Sequence, residues 1–369
     1  MASFTKRGKT WQYTISRMVN GKSKPIRKGG FKTKREAQAA AADIESKMNK
    51  GFSPITRKVP FNEYFETWIK TYKTDIKENT LARYNNSLDT INEYFNDTAI
   101  QDITKRSYQS FLNEYAKNHA KETTRKLNTH IRSCVLNAID EGIIHVNFTR
   151  GAVVTGKQGK SNDEKYLNYD ESQKLLNAIL EKKKKALTDY LIILALTSGM
   201  RFGEMVGLTR KDFDFDNNTI NINKTWGYTN KMHKGWGETK TGEQRVIKMD
   251  TQTMGLFQDL FERRPENIKK LVFYSPTSKY HVISNSAVNK QLREMMTKLD
   301  IKGKEITIHS MRHTHASVLL YQGVSFYYVS KRLGHKDIET TLNTYSHVIK
   351  EMEERDENMS AETFQRMYV

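Results

Sequence analysis

The spacing of the apolar residues changes three times along this chain, so one continuous layered core cannot hold all of it. Near the start, "TWQYTISRMV" alternates, with Trp11, Tyr13 and Ile15 on one face as in a strand. From about Val59 to Arg150 the recurrence is helical. One stripe is Tyr64, Phe65, Trp68, Ile69 and Tyr72, a second is Leu81, Tyr84, Leu88, Ile91 and Phe95, and a third is Leu127, Ile131, Val135 and Ile139. All three are expected to be core. "RGAVVTGKQGKSND", from Arg150, has three glycines and no period, and reads as a linker. Helical stripes and short strands mix beyond it. At 369 residues, two or three domains are expected. The fold class is therefore mainly α with small β-sheets (α+β). A small sheet plus helix is expected over 1–57, a helical domain over 58–153 and a mixed α/β domain over 164–369.

Charge narrows the partners. The net charge is +19 and the isoelectric point near 9.6, which suits a polyanion such as nucleic acid. No run approaches the roughly 20 apolar residues that span a bilayer, and the start has no signal-peptide run, so no membrane role and a cytoplasmic location are expected. Cys134 is the one cysteine, which excludes an internal disulfide, and its helical surroundings make it core. No His/Cys/Asp cluster has metal-ligand spacing, and no cofactor is expected. Charge is densest up to Arg57, with 14 Lys and Arg against three Asp and Glu. There "NGK" at Asn20 signals a hairpin and "RKGGFKT" a second one, followed by a helix from Lys34 to Asn49 that Gly51 ends. Trp11 and Phe31 should pack the sheet on that helix. Arg17, Lys22, Lys24, Arg27 and Lys28 are candidate DNA contacts in this segment. Arg83, Arg125 and Lys126, with Lys121 and Arg132, are the candidates on the polar faces of the helices. Asn168 or Asp170 should cap the next helix, and Lys182 to Lys185 should be a solvated helix end.

The last half carries the chemistry. "TSGMRFGEMVGL", "ETKTGEQRVIKM", "ITIHSMRHTHAS" and "KRLGHKDIETTLNTYSHV" present Arg201, Lys240, His309, Arg312, His335 and Tyr345 in order. A phosphodiester under attack gains negative charge on its non-bridging oxygens, which two arginine forks can meet. A phenol with an ordinary pKa near 10 needs an acceptor for its proton, and His309 suits that role. Glu204, one turn from Arg201, can orient the guanidinium. Lys240 lies by a turn between strands, where a mobile cation could protonate a leaving oxygen; Lys234 and Lys231 are rivals for that role. His313 and His315 read as supporting structure, and Tyr327 and Tyr328 as core. Thr340 or Thr341 should cap the final helix, on which Leu342 and Val348 pack Tyr345 down.

On these residues the chain resembles the tyrosine recombinase family, and within it the integrases of phages and integrative conjugative elements. The resemblance covers nearly the whole chain. It implies a site-specific DNA recombinase that integrates and excises a mobile element through a 3′-phosphotyrosine on Tyr345, without metal. It further implies that Lys240 protonates the departing 5′ oxygen and that His335 donates to a non-bridging oxygen. The first segment would be an arm-type DNA-binding domain and the second a core-binding domain. Implied partners are double-stranded DNA at core and arm attachment sites, three further copies in a homotetramer, a directionality factor and a DNA-bending protein. The acidic tail "EMEERDENMSAETFQRMYV" would contact a neighbouring subunit. A resolution recombinase or type IB topoisomerase would not need the basic N-terminal segment, and a non-catalytic regulator would not need the full residue set.

Overall fold

The computed structural model describes residues 2–19, 22–49, 58–159, 166–230, 232–240, 242–345, 357 and 359–368, and the chain divides into two compact units, Met1–Gly159 and Lys160–Val369. The first unit opens with an antiparallel sheet of β1 (Ala2–Arg7), β2 (Thr10–Ile15) and β5 (Ile26–Phe31), ordered β1-β2-β5. The strand β1 was not legible in the sequence pattern. It turns into β2 through Gly8, whose φ of +59° suits the two-residue link between the paired Arg7 and Thr10. A short ribbon of β3 (Met18–Val19) and β4 (Lys22–Ser23) follows, with Val19 opposite Lys22; Asn20 and Gly21, the expected turn, lie outside the described residues. Helix α1 (Lys34–Asn49) has the expected bounds, and Gly51 lies outside the described residues. Tyr13, Ile15, Ile26 and Ala41 form the small core, with Phe31 stacked on Tyr13 at 5.7 Å.

"RKGGFKT" is not a hairpin. Gly29 and Gly30 sit inside β5, where Trp11 pairs with Phe31 but Tyr13 pairs with Lys28. That leaves one extra residue on β5, a bulge, and Gly30 at φ +94° takes a backbone conformation that a side chain disfavours.

Helices α2 (Phe61–Tyr72), α3 (Glu78–Phe95), α4 (Lys105–Asn118) and α5 (Lys121–Asp140) bury Phe61, Phe65, Trp68, Ile91, Phe111, Leu127, Ile131 and Cys134. The ends of the stripes are not core: Tyr72 is 48% exposed and Leu81 36%. Tyr72 sits where its hydroxyl reaches Glu141 at 2.8 Å, beside that of Tyr64 at 3.0 Å. The expected linker also begins later than Arg150. Val153 exchanges two hydrogen bonds with the Gln109 side chain, at 2.8 and 2.9 Å. Lys157 donates to His119 O at 2.9 Å and accepts from Lys121 N at 3.1 Å. A Cβ on Gly156 would lie 2.5 Å from Lys121 N, so glycine permits this close approach. Residues 160–163 of that segment lie outside the described residues.

The second unit packs α6 (Tyr169–Leu180), α7 (Leu187–Ser198), α8 (Phe202–Val206), α9 (Thr251–Arg263), α10 (Asn285–Lys298) and α11 (Ser310–Tyr321) around one core. Against them lies a sheet ordered β10-β7-β6, from β6 (Phe213–Asp214), β7 (Thr219–Ile222) and β10 (Arg245–Lys248). A ribbon of β8 (Thr225–Trp226) and β9 (Trp236–Gly237) is inserted between β7 and β10. The chain then adds α12 (Phe326–Leu333) and α13 (Ile338–Thr344). Helix α7 is buried on every side from Leu191 to Leu196, which is why its sequence lacks a polar stripe. Asn168 is the cap of α6, exchanging bonds of 2.8 Å with Glu171.

The Lys182 to Lys185 run is not simply solvated. Lys182 pairs with the buried Asp189 at 2.5 Å. Lys185 donates to the carbonyls of Leu180 and Lys182 at 2.9 and 3.0 Å, satisfying the end of α6. No helix among the described residues is long and apolar enough to cross a membrane.

Candidate active site

Two helix ends organise the site. Gly199 closes α7 and Gly334 closes α12, each in the left-handed conformation at φ +67° that glycine adopts without strain. Arg312, in the first turn of α11, donates Nη1 to Gly199 O at 2.9 Å. Arg201, just before α8, donates Nη2 to Gly334 O at 2.9 Å and Nη1 to Glu204 Oε1 at 2.8 Å. Each guanidinium thus meets the electronegative end of a helix. Arg312 is only 4% exposed, and its buried Nη2 has no hydrogen-bond partner among the described residues. Burial, with Arg201 adding to it, lowers the Arg312 pKa to about 9, so the group is still a cation at neutral pH.

Glu204 is fully buried and serves two arginines, since Arg245 Nη2 on β10 reaches its Oε2 at 2.7 Å. Burial alone would raise its pKa; the hydrogen bond and charge of Arg245, then Arg201, reverse this and leave it lowered. Arg245 also donates to Arg332 O at 2.8 Å. Arg332 in turn binds His315 Nε2 at 3.0 Å, Lys248 O at 2.7 Å and Thr197 O at 3.1 Å. Sequence reasoning missed both Arg245 and Arg332. Arg245 did leave a signal: it shares a strand face with the buried Ile247, and an inward arginine needs a buried carboxylate.

The histidines divide by environment. His309 precedes α11, and burial followed by the charges of Arg312, Arg201 and Lys240 lowers its pKa. His335 follows Gly334 and holds Thr341 Oγ1 at 2.7 Å through Nδ1. Burial and then Arg312 and Arg201 bring its pKa to about 3. His315 is engaged at both nitrogens, by Leu196 O at 2.8 Å and by Arg332, and is structural as expected. His313 places its Nδ1 3.1 Å from the Tyr345 hydroxyl.

Tyr345 is 1% exposed, and burial pushes its pKa up to about 12 against the pull of Arg312. It follows α13 rather than lying within it, and packs on Ala316, Leu320, Val329 and Leu333. Leu342 is exposed, Val348 lies outside the described residues, and the described packing partners come from α11 and α12. Asp337 begins α13; Thr341 lies inside it with its hydroxyl on His335, which is why neither threonine caps the helix. Tyr327 and Tyr328 are 60% and 47% exposed and not core.

Residues 165–352, just over half of the chain, match the model of the phage integrase family. The chain belongs to that family. It is a tyrosine recombinase, an enzyme of site-specific DNA breakage and rejoining. Residues 3–48 match an arm DNA-binding domain and 60–116 an N-terminal SAM-like domain of phage integrases. The integrase of Staphylococcus phage L54a is 24% identical over 339 residues, covering 84% of this chain and 95% of that protein. The ICEBs1 integrase of Bacillus subtilis is 23% identical over 325 residues, 86% of each. In fold, the recombinase is similar to the Tn1549 transposon integrase in complex with a circular intermediate DNA, with a TM-score of 0.66, 19% identity, and 80% of this chain and 99% of that one covered. A lambda integrase dimer bound to a core site gives a TM-score of 0.62 at 16% identity, over 90% and 91%.

Lys240 of the recombinase is exposed in the turn between β9 and β10, where Gly242 N bonds Thr239 O at 3.1 Å. Lys234 is exposed earlier in the same excursion, just before β9, and Lys231 lies outside the described residues. Lys24, Arg27, Lys28, Arg83, Arg125 and Lys126 are exposed and Arg17 half-buried; Arg125 pairs with Glu122. Lys22 lies in β4, and its side chain is outside the description. Among the described residues no three His, Cys, Asp or Glu side chains converge as a metal site would require.

Proposed function

We propose that the recombinase integrates and excises a mobile element by transesterification through Tyr345. The observation that carries this is the anchoring of the two arginines: Arg201 donates to Gly334 O, next to His335, and Arg312 to Gly199 O, while Arg312 keeps a buried Nη2 with no partner among the described residues. Arg201 and Arg312 hold the non-bridging oxygens, and Nη2 of Arg312, unpartnered among the described residues, is a donor for one of them. His335, neutral, takes the Thr341 hydroxyl at Nδ1 and presents Nε2–H to the phosphate. His309 also stays neutral near pH 7 and can accept or share a proton there. Tyr345 Oη bonds to phosphorus, the bond from phosphorus to the 5′ oxygen breaks, and Lys240 gives that oxygen a proton. The phosphotyrosine keeps the bond energy, so another strand's 5′ hydroxyl reseals the break.

In this reading residues 1–57 hold outlying arm sites, and the helical and catalytic domains (58–153 and 164–369) grip the core site. The basic residues named above meet phosphates. Four copies act together on DNA in the bacterial cytoplasm, with a directionality factor and a DNA-bending protein. The lambda integrase tetramer bound to a Holliday junction supports that assembly by likeness of fold. The test is a nicked suicide duplex of DNA flanking the gene, incubated with wild type and Tyr345→Phe without added metal. A covalent adduct in the wild type alone is expected. Adducts in both place the nucleophile elsewhere, and specific binding without adducts turns the reading to a regulator.

A further inference from the structure

We propose that His313 is the immediate acceptor of the Tyr345 proton, an inference that rests on Tyr345 being the nucleophile. Four histidines of this part of the second unit are among the described residues, with His347 outside them, and three of the four have other positions or duties. His315 is held at both nitrogens by Leu196 O and Arg332. His335 directs Nδ1 to Thr341. His309 faces the field of Arg201, Arg312 and Lys240, with its ring 5.3 Å from that of His313 and nearly perpendicular to it. Among the described residues His313 is the ring whose nitrogen stands within hydrogen-bond reach of the phenol, at 3.1 Å. A general base must first be in reach of its proton, and only then be matched in pKa.

The arrangement follows from the helix. Arg312 and His313 are consecutive on α11, so one turn of backbone fixes a phosphate donor and a phenol acceptor side by side. Tyr345 sits in the apolar seat made by α11 and α12, where free ionisation is disfavoured and loss of the proton must accompany attack. In the step, the proton moves from Oη to Nδ1 of a ring that carries its other proton on Nε2. Oη forms the bond to phosphorus, the bond to the 5′ oxygen breaks, and that oxygen takes its proton from Lys240. Resealing reverses each transfer: the 5′ hydroxyl returns its proton to Lys240 and His313 returns its own to Oη. His309 is thereby left to the phosphate.

Single-turnover cleavage of a suicide duplex that the wild type cuts would test this, with His313→Ala, His313→Asn, Lys240→Ala and Tyr345→Phe compared. General-base loss should slow His313→Ala about 10²-fold, with DNA affinity and melting temperature unchanged. Added imidazole should restore part of that rate. On a duplex with sulfur at the bridging 5′ position, whose leaving thiolate needs no acid, Lys240→Ala should recover and His313→Ala should not. A wild-type rate for His313→Ala overturns the inference, as does a slow rate that imidazole leaves unchanged. Should His313→Ala melt early, His313→Asn decides: it keeps an acceptor atom but cannot take the proton, so a slow rate supports the inference and a wild-type rate overturns it. An adduct from Tyr345→Phe would overturn the underlying reading and this inference with it, whereas an inert Tyr345→Phe beside a fully active His313→Ala sinks this inference alone.

Discussion

Arg312 gives one nitrogen to Gly199 O and keeps a second buried and unpartnered among the described residues, which the proposed mechanism turns toward the phosphate. Arg312→Ala should therefore slow adduct formation by roughly 10²–10³, the loss typical of one oxyanion donor. A near-wild-type rate in single-turnover cleavage would remove it from the site. Arg312→Lys should be little better, since the charge remains but the fork is lost. The depressed histidines set a pH dependence. Burial and the neighbouring cations hold His309 below the ordinary histidine value and His335 at about 3. Protonation of His335 should therefore cost no cleavage rate as pH falls through the ordinary range; a wild-type fall there that disappears in His335→Gln would contradict this. Stability should behave differently. The unfolded chain takes up protons at His315 and His335 below about 6.5, which the folded chain resists down to about 3. The melting temperature should thus fall across that window, and a flat profile would contradict the assigned burial.

At the scale of elements, Gly334 joins the end of α12 to His335, a proposed phosphate donor. A Cβ there would lie 2.9 Å from Arg245 Nη1, and the left-handed backbone costs a side chain about 1–2 kcal/mol. Gly334→Ala should shift His335 and lower cleavage more than it lowers the melting temperature; equal loss of both would make Gly334 a purely structural position. Elements whose signal is local were legible: α1 from its alanine-rich run and α6 from the Asn168 cap. Of the six proposed site residues, the sequence offers the spacing, and the structure adds the helix-end carbonyls that hold Arg201 and Arg312. What lay hidden depends on contacts distant in sequence. Nothing local tells that Lys157 bonds to His119 and Lys121, or that Arg332 ties His315 to Lys248 and Thr197. The contact of His313 with Tyr345 was hidden for the same reason, because the two lie 32 residues apart. The bulge at Gly30 imitated a turn because both draw on the same glycine freedom.

For the whole molecule, the net charge of +19 should make DNA affinity fall steeply with salt. The described part of the tail exposes Met359, Phe364, Met367 and Tyr368, apolar side chains suited to a protein neighbour rather than to phosphate. Deleting residues after Lys350 should weaken assembly of paired sites more than binding to one site, as band-shift titrations would reveal; equal weakening would assign the tail no role between copies. The grip of Arg201 and Arg312 on the ends of α12 and α7 has a further consequence for anyone wishing to silence this protein. The cations proposed to meet the substrate are also the mortar between helices, so removing them erodes the building along with the tool. A stable, inert DNA binder cut from this scaffold is better made by deleting the lone Oη of Tyr345 or the exposed amine of Lys240, leaving both guanidinium joints in place.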